Sequence, residues 1–391
     1  MQEIVILSGA RTAIGTFGGA LADTSAIELG TIAAKAAIER AGVAATAIGT
    51  TVFGHVINTE PRDMYLSRVA AMQAGVPETV PAMNVNRLCG SGLQAIVSGV
   101  QALQLGDADF ALVGGAENMS RAPYTVPALR FGQKMGDMGA TDMMLGALSC
   151  PFGTGHMGIT AENVAREHDI TRAEQDAFAL ESQNRAAAAI EAGYFDSQIV
   201  PVEVRVKRDT VAFTLDEHPK ATTVEKLSGL RAVFQKNGTV TAGNASGIND
   251  GAAALVLATA NAAAAGGHQP IARVLGYAHA GVRPDVMGIG PVPAVQALCA
   301  RTGLSVDDFD VIESNEAFAA QALAVNKSLG LNPARVNPNG GAIALGHPVG
   351  ATGAIITVKA LYELIRTGGK RALITMCIGG GQGIALAIER M

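Results

Sequence analysis

The sequence predicts an α/β protein built from two copies of one β/α unit, with a long segment inserted between them. Three observations carry this. Short apolar strands alternate with helices. Sliding the chain along itself superimposes three separate elements. Residues from Ser120 to about Thr241 follow neither pattern.

In order, Ile4 to Ser8 reads as a strand, Ala26 to Ala41 as a helix closed by Gly42, and Thr50 to Val56 as a strand. Ala82 to Asn86 ends a short strand. It leads through Arg87-Leu88-Cys89-Gly90-Ser91-Gly92 into a helix over Leu93–Leu105, where Leu93, Ile96, Val97, Val100, Leu103 and Leu105 recur at helical spacing. Phe110 to Val113 is a strand ending in Gly114-Gly115. The alternation predicts a mostly parallel, helix-covered sheet.

Gly42 falls on Gly303, Gly92 on Gly353 and Ser91 on Thr352, all at a shift of 261. At the same shift Leu93–Leu105 falls on Ala354–Arg366, with Ile355, Ile356, Val358, Leu361 and Leu364 apolar, and Ala111-Leu112-Val113 falls on Ala372-Leu373-Ile374. Two copies facing each other about a pseudo-twofold axis are expected. Function should concentrate where they differ: Gly54 answers to Asn315, Ala116 to Cys377, and the loop before the second helix, Val336–Pro348, is longer than Met83–Leu88.

The inserted segment is rich in methionine, with Met135, Met138, Met143, Met144 and Met157. It contains a helix from Arg172 to Ala192, opened by a capping box of Thr171 and Glu174. From Val204 to Val240 seven Lys/Arg (205, 207, 208, 220, 226, 231, 236) stand against four Asp/Glu (209, 216, 217, 225), a local +3 in a chain of net −5. Such a stretch suits a small phosphorylated ligand or a solvated loop face. The overall acidity excludes a general nucleic-acid binder. An apolar share of 49% against 16% charged marks a core-rich globular protein. Four cysteines without CxxC spacing give neither a zinc site nor a disulfide framework. No basic n-region opens the chain and no uninterrupted apolar run would span a membrane, so a soluble cytoplasmic protein is expected.

Four places invite chemistry. Cys89 sits before a helix, whose positive end and free N–H groups lower a thiol pKa, with Ser91 a plausible helix cap; a buried structural cysteine is the plainer alternative. Asn315 either caps the helix Ala319–Leu329, which follows the strand Asp310–Glu313, or holds a catalytic water. His347 lies between Gly346 and Pro348 with no metal-type spacing around it, and a Cys–His pair is the arrangement thiol acyl chemistry needs. Cys377 ends the strand Ala372–Met376, and Ile378-Gly379-Gly380-Gly381-Gln382-Gly383 leads to a last strand, Ile384–Ile388. These glycines lack the spacing of a dinucleotide loop and better admit a substrate close to a backbone N–H donor.

With NRLCGSG (86–92), HMGITAEN (156–163), NASGINDGAAA (244–254), NEAFAAQA (315–322), GGAIALGHPVGATG (340–353) and CIGGGQG (377–383), the sequence resembles the thiolases over essentially its whole length. Pro61–Arg68 departs from the pattern of many acetoacetyl-specific members and looks more like the broad-range bacterial β-ketothiolases. The resemblance implies a thiolase-like duplicated core of five layers (α-β-α-β-α). Residues 1–120 with 242–268 would form one half and 269–391 the other, while 121–241 would form a loop domain for CoA, substrate and oligomer contacts. It implies reversible Claisen condensation of acetyl-CoA with acyl-CoA, or thiolysis of 3-ketoacyl-CoA, with ping-pong kinetics, in fatty-acid, polyhydroxyalkanoate or ketone-body-type metabolism. Cys89 would be the acylated nucleophile, His347 its activator and Cys377 the acid/base. Asn315, through a water and with His347, would form one oxyanion hole, and the N–H groups of Cys89 and Gly379 the other. Ser246, His156, Met157, Met287 and Phe318 would line the pantetheine and acyl pocket, and Lys220 would lie near the nucleotide. The resemblance further implies CoA and acyl-CoA as substrates with no metal or other cofactor, no nucleic acid or membrane partner, and a homotetramer assembled as a dimer of dimers. A decarboxylating β-ketoacyl synthase, which typically pairs one cysteine with two histidines or with histidine and asparagine, and a non-catalytic lipid-binding relative are the competing readings.

Overall fold

The computed structural model describes residues 2–391. Its main strands are β1 (Ile4–Thr12), β2 (Thr50–Gly54), β3 (Ala82–Val85), β4 (Phe110–Asn118), β5 (Asn249–Thr259), β6 (Ala272–Gly281), β7 (Val311–Ser314), β8 (Arg371–Ile378) and β9 (Gln382–Arg390). Its main helices are α1 (Ala26–Ala41), α2 (Leu66–Gln73), α3 (Ser91–Leu105), α4 (Met157–Glu167), α5 (Arg172–Glu191), α6 (Pro291–Thr302), α7 (Ala319–Leu329) and α8 (Thr352–Thr367). Local chemistry sets several boundaries as expected. Ser25 Oγ accepts from Glu28 N–H to open α1, and Gly42 closes it at φ 61°. The Thr171–Glu174 capping box opens α5.

The nine strands form one continuous path, β7-β8-β9-β6-β1-β5-β4-β2-β3. The expected mostly parallel sheet is corrected. Only β2–β3, β2–β4 and β7–β8 pair parallel on this path, and every junction from β8 through to β4 is antiparallel. A parallel pair needs a crossover helix, whereas β8 and β9 are joined only by Gly379–Gly381, which leaves room for a hairpin alone. Gly114 and Gly115 also do not end β4; they continue it, and a Cβ on Gly115 would strike the Gly350 carbonyl.

The duplication is visible in the pairing. β1 bonds β5, β5 bonds β4, β4 bonds β2 and β2 bonds β3. In the second half β6 bonds β9, β9 bonds β8, β8 bonds β7, and Ile312 of β7 bridges Val336. The equivalent strands β1 and β6 join the halves antiparallel, Val5 opposite Arg273 and Ile6 opposite Ala272, as a twofold through that pair demands.

Alternation along the strands sorts the core into layers. Ala111 and Val113 of β4 face one cluster with Leu93, Ile96, Val97, Val100 and Leu103 of α3, and with Ile355, Val358, Leu361 and Leu364 of α8. Leu112 faces the opposite cluster, with Ile27, Ala33 and Ala37 of α1. In the second half Ile374 and Met376 face the shared α3–α8 layer, while Leu373 faces Val295 and Leu298 of α6. Helix, half-sheet, paired helices, half-sheet, helix is the resulting order. Leu105, counted by spacing with the apolar stripe of α3, is instead 80% exposed at the last turn.

The segment between β4 and β5 is pinned by a buried ion pair, Arg11 Nη1 to Asp216 Oδ1 at 2.8 Å. Asp216 also accepts Ile14 N–H, and the neighbouring Glu217 accepts from Thr16 and Ala20. Two of the four acids in the basic stretch are thus spent on anchoring. Pairing of the buried Asp216 with Arg11 takes one acidic charge away from solvent, so the remainder of the stretch is more positive than its sequence count.

The helices α3 and α8 meet at their first turns. A Cβ on Gly92 would lie 2.8 Å from Ala354 N, and one on Gly353 would strike Leu93 N. Overpacking against backbone costs about 1–3 kcal/mol. Gly353→Ala is therefore expected to lower stability by that amount in urea titrations. Gly139→Ala, where nothing lies within 4 Å, should leave the midpoint unchanged.

Candidate active site

The turn before α3 is held in an unusual conformation. Leu88 adopts φ 47°, a left-handed value costly for a side chain of its size. Its N–H donates to Asn86 Oδ1, and the Ser91 hydroxyl accepts from Arg87 N–H and donates to Leu88 O. Ser91 is therefore the first residue of α3 and braces the turn. The expected helix cap is corrected: Gly90 holds that position without a side-chain bond, because the hydroxyl points back into the turn. The Arg87 guanidinium bonds Gln94 and Gln382, tying the turn to the start of β9.

Cys89 sits at this junction, close to the N–H groups of Gly379 and of its own backbone. These donors favour a thiolate. Burial opposes them and prevails, with the Glu117 carboxylate adding repulsion, so the thiol is pushed up from its ordinary value. The lowered pKa expected from the helix end alone is corrected: at neutral pH Cys89 rests as a thiol.

His347 follows the single turn Ala342–Leu345 through Gly346, at φ 108°. A Cβ there would lie 2.5 Å from Asn249 Cγ, and Asn249 Oδ1 accepts His347 N–H. Nδ1 of His347 lies 2.7 Å from Thr352 Oγ1, while Nε2 is buried without a partner. Burial pushes the imidazole down to about 4. His347 is thus a neutral base beside a neutral thiol.

Asn315 directly follows β7. Its N–H donates to Thr375 O, which fixes the backbone, yet both atoms of its buried amide lack partners. It caps nothing, since Phe318 precedes α7 as its N-terminal residue. Cys377 lies inside β8 opposite Gly383, one residue short of the strand's end, and is fully buried. Burial raises its thiol far above the ordinary range, and the neighbouring Cys89 charge raises it further. Cys377 packs with Met157, Met287 and Phe318.

A cavity of about 260 Å³ opens onto Cys89 and His347, while Asn315 and Cys377 lie outside its lining, Cys377 packed behind the lining residues Met157, Met287 and Phe318. Cys89, His347, Gly379, Ser246, His156, Met157, Met287 and Phe318 all line it. Lys220 does not: it stands exposed, its N–H on Gln183 Oε1. His156 opens α4 by accepting Gly158 N–H at Nδ1 and stacks on Phe234, with ring centroids 4.7 Å apart. Phe234 in turn meets Phe318 edge-on. Sequence reading missed Phe234, Val56, Leu88 and Val349 as lining residues. It also missed Glu117, whose buried carboxylate accepts from Val56, Ile57 and Gly350 N–H and so locks the two loops flanking the cavity together. His55 sits between Glu117 and Asp63, at 3.5 and 3.8 Å. Among the described residues no His, Cys, Asp and Glu cluster has metal-holding geometry.

Two measurements follow from these pKa values. Carboxamidomethylation of Cys89 in the free enzyme is expected to accelerate about tenfold per pH unit from pH 6 to beyond 8; a plateau below pH 8 would mean a preformed thiolate. His218, His279 and His347 are each pushed down to about 4, chiefly by burial, from 6.5. The unfolded chain therefore takes up protons that the fold excludes. Their contribution is complete above pH 6.5 and lost as pH falls towards 4, so replacing His218 and His279 by Gln should make Tm fall less steeply across that window than in the native enzyme.

Residues 4–261 match the thiolase N-terminal domain and residues 268–390 the thiolase C-terminal domain. The chain is 60% identical to the β-ketothiolase BktB of Cupriavidus necator and 51% identical to an acetyl-CoA acetyltransferase of Escherichia coli, each over 100% of both chains. Its structure superimposes on the Bacillus anthracis acetyl-CoA acetyltransferase with a TM-score of 0.98, 45% identity and coverage of 100% of this chain and 99% of that one. Against human mitochondrial 3-ketoacyl-CoA thiolase in complex with CoA the TM-score is 0.97, with 44% identity and coverage of 100% and 98%. The duplicated core, the cavity between its halves and these full-length matches lead to one assignment: the chain belongs to the thiolase family of acyltransferases.

Proposed function

We propose that this enzyme cleaves 3-ketoacyl-CoA with CoA, and in reverse condenses acetyl-CoA with acyl-CoA, by carrying the acyl group on Cys89. The observation that carries this reading is the meeting, in one apolar cavity, of the Cys89 thiol, the Gly379 backbone and an imidazole whose Nε2 has no partner.

In thiolysis Cys89 Sγ attacks the 3-keto carbon while His347 Nε2 takes its proton. The N–H groups of Cys89 and Gly379 meet the alkoxide that forms. As the carbon–carbon bond breaks, acetyl-CoA leaves as an enolate, whose oxygen is met by His347 and by a water held on the Asn315 amide. Cys377 gives the enolate carbon its proton. A thiol so strongly biased towards the protonated form suits that task, and regains its proton readily afterwards. That proton comes from the His347 imidazolium, and the neutral His347 then takes the proton of the CoA thiol as its sulfur attacks the acyl carbonyl, passing it to the Cys89 thiolate that leaves.

Met157, Met287 and Phe318 would pack the acyl chain and pantetheine beside His156 and Ser246, with Lys220 as a rim contact for the phosphates. In this reading residues 1–120 with 242–268 and residues 269–391 are the core halves, and 121–241 is the loop domain. CoA and acyl-CoA are substrates, and the residues named handle every proton in the cycle. The enzyme would act in the cytoplasm. Among the described residues no helix is long and apolar enough to cross a membrane. A homotetramer is supported by exposed apolar side chains on the loop domain, such as Phe131 (96%) and Met135 (91%), and by the uncovered edge strand β3.

The test separates the two cysteines. Cys89→Ala should gain no acetyl group from acetyl-CoA by mass spectrometry. Cys377→Ala should still acetylate at Cys89 but lose condensation, and deuterium exchange at the acetyl α-carbon, by about 10²–10⁴-fold. Condensation near the native rate in Cys377→Ala would overturn this division of labour. Decarboxylation of a malonyl thioester by the native enzyme would favour a synthase.

A further inference from the structure

We propose that Thr352 is a positioning residue that holds His347 in the Nδ1–H tautomer, leaving Nε2 as the unprotonated nitrogen facing the cavity. The inference rests on the reading of His347 as the base for Cys89.

The argument is one of proton supply. Thr352 Oγ1 lies 2.7 Å from His347 Nδ1 and 2.9 Å from Pro348 O, and the hydroxyl has a single hydrogen. Pro348 O is a carbonyl and only accepts. If His347 Nδ1 carries a proton, it donates to Oγ1 while the hydroxyl donates to Pro348 O, and both short contacts are hydrogen bonds. If Nδ1 is bare, the hydroxyl can serve only one of its two neighbours, and the other contact sets lone pair against lone pair. Only the first arrangement satisfies the geometry. It also spares the fold a buried Nε2–H with no acceptor, since Nε2 has no partner.

The first repeat carries the same device. Ser91, the counterpart of Thr352 at the shift of 261, is also the first residue of its helix. Its hydroxyl likewise donates to a carbonyl of the preceding turn, Leu88 O, and accepts from an N–H of that turn, Arg87 N–H. Each half thus uses a hydroxyl at the start of its central helix to brace the turn that bears its reactive residue. In the second half the accepted N–H belongs to the imidazole itself.

A hydroxyl is an orienting partner of a particular kind. A carboxylate there would stabilise imidazolium and raise the basicity of the ring. Thr352 sets tautomer and direction without adding charge. The ring therefore accepts the Cys89 proton only as the sulfur attacks, and surrenders it readily to a departing CoA thiolate.

Two experiments test this. In enzyme labelled with ¹⁵N-histidine, long-range ¹H–¹⁵N spectra at pH 7, assigned by the signals missing from His347→Asn, should show Nε2 as the unprotonated nitrogen and Nδ1 as the protonated one. The opposite pattern overturns the proposal whatever the enzyme's activity. Separately, Thr352→Val, which keeps the shape and removes the hydroxyl, should lower kcat for thiolysis about tenfold or more. Its KM should stay within about twofold, because Thr352 does not line the cavity. Thr352→Ser should restore kcat. A Thr352→Val enzyme with native kcat, or a Thr352→Ser enzyme as impaired as Thr352→Val, overturns the assignment. If Thr352→Val does not fold, the tautomer in the native enzyme decides. Failure of Cys89 to acetylate in the native enzyme would instead sink the functional reading and leave the tautomer result standing.

Discussion

The close approach of two helix ends organises this molecule. Gly92 and Gly353 let α3 and α8 touch at their first turns, and the packing spreads outward through residues that can carry no side chain. A Cβ on Gly54 would lie 2.5 Å from Gly92 N, and one on Gly350 would strike the Glu117 carboxylate. The positive ends of two buried helices are thereby focused on one point, each worth up to about 2 kcal/mol to a negative charge placed there. Neither Cys89 nor His347 consumes that field at rest, since both are neutral in their buried setting. It remains available for the alkoxide and enolate of the reaction, the condition under which preorganised dipoles are most effective.

The repeats contribute unequally to the site. The first supplies the nucleophile. The second supplies His347, Asn315 and Cys377, at positions where the first has Asn86, Gly54 and Ala116. The counterpart of Cys89 is Gly350, whose N–H is bound by Glu117 and whose Cα has no room for a side chain. Glu117 therefore closes the symmetry-related position while joining the loops that carry the working one. A symmetric frame has become a single site by filling one of its two equivalent corners with structure.

Much of this was legible in the sequence because it is local or periodic. The shift of 261 located α3, α8, β4 and β8, and the layered core followed from the family resemblance. The residues that converge on the cavity were recognisable as types in loops that packing alone does not demand, such as His347 between Gly346 and Pro348. What escaped was set by tertiary environment. The antiparallel centre of the sheet depends on which strands become neighbours, and periodicity is silent on that. The Cys89 pKa was misjudged because a helix end is a local signal, whereas burial is contributed by distant elements. Glu117, next to the end of an apolar strand, gave no sign that three backbone N–H groups from two loops would surround it. Lys220 had the right charge in the right segment, but it stands exposed and outside the cavity lining.

The loop domain leaves and re-enters the core at adjacent points. Asn118 at the end of β4 pairs with Asp250 at the start of β5, and Ser120 bonds the Asp250 carboxylate across 130 residues of chain. The ends of this excursion are thus clamped by the sheet itself, whatever lies between them. Closing a loop of such length depends only logarithmically on its size, about 0.6 kcal/mol per doubling. Material can therefore be added to the excursion or trimmed from it at little cost to the core that holds Cys89 and His347. A lineage can change how long an acyl chain the cavity accepts, or which surfaces the protein offers to its neighbours, by redrawing this one cassette while the chemistry stays fixed.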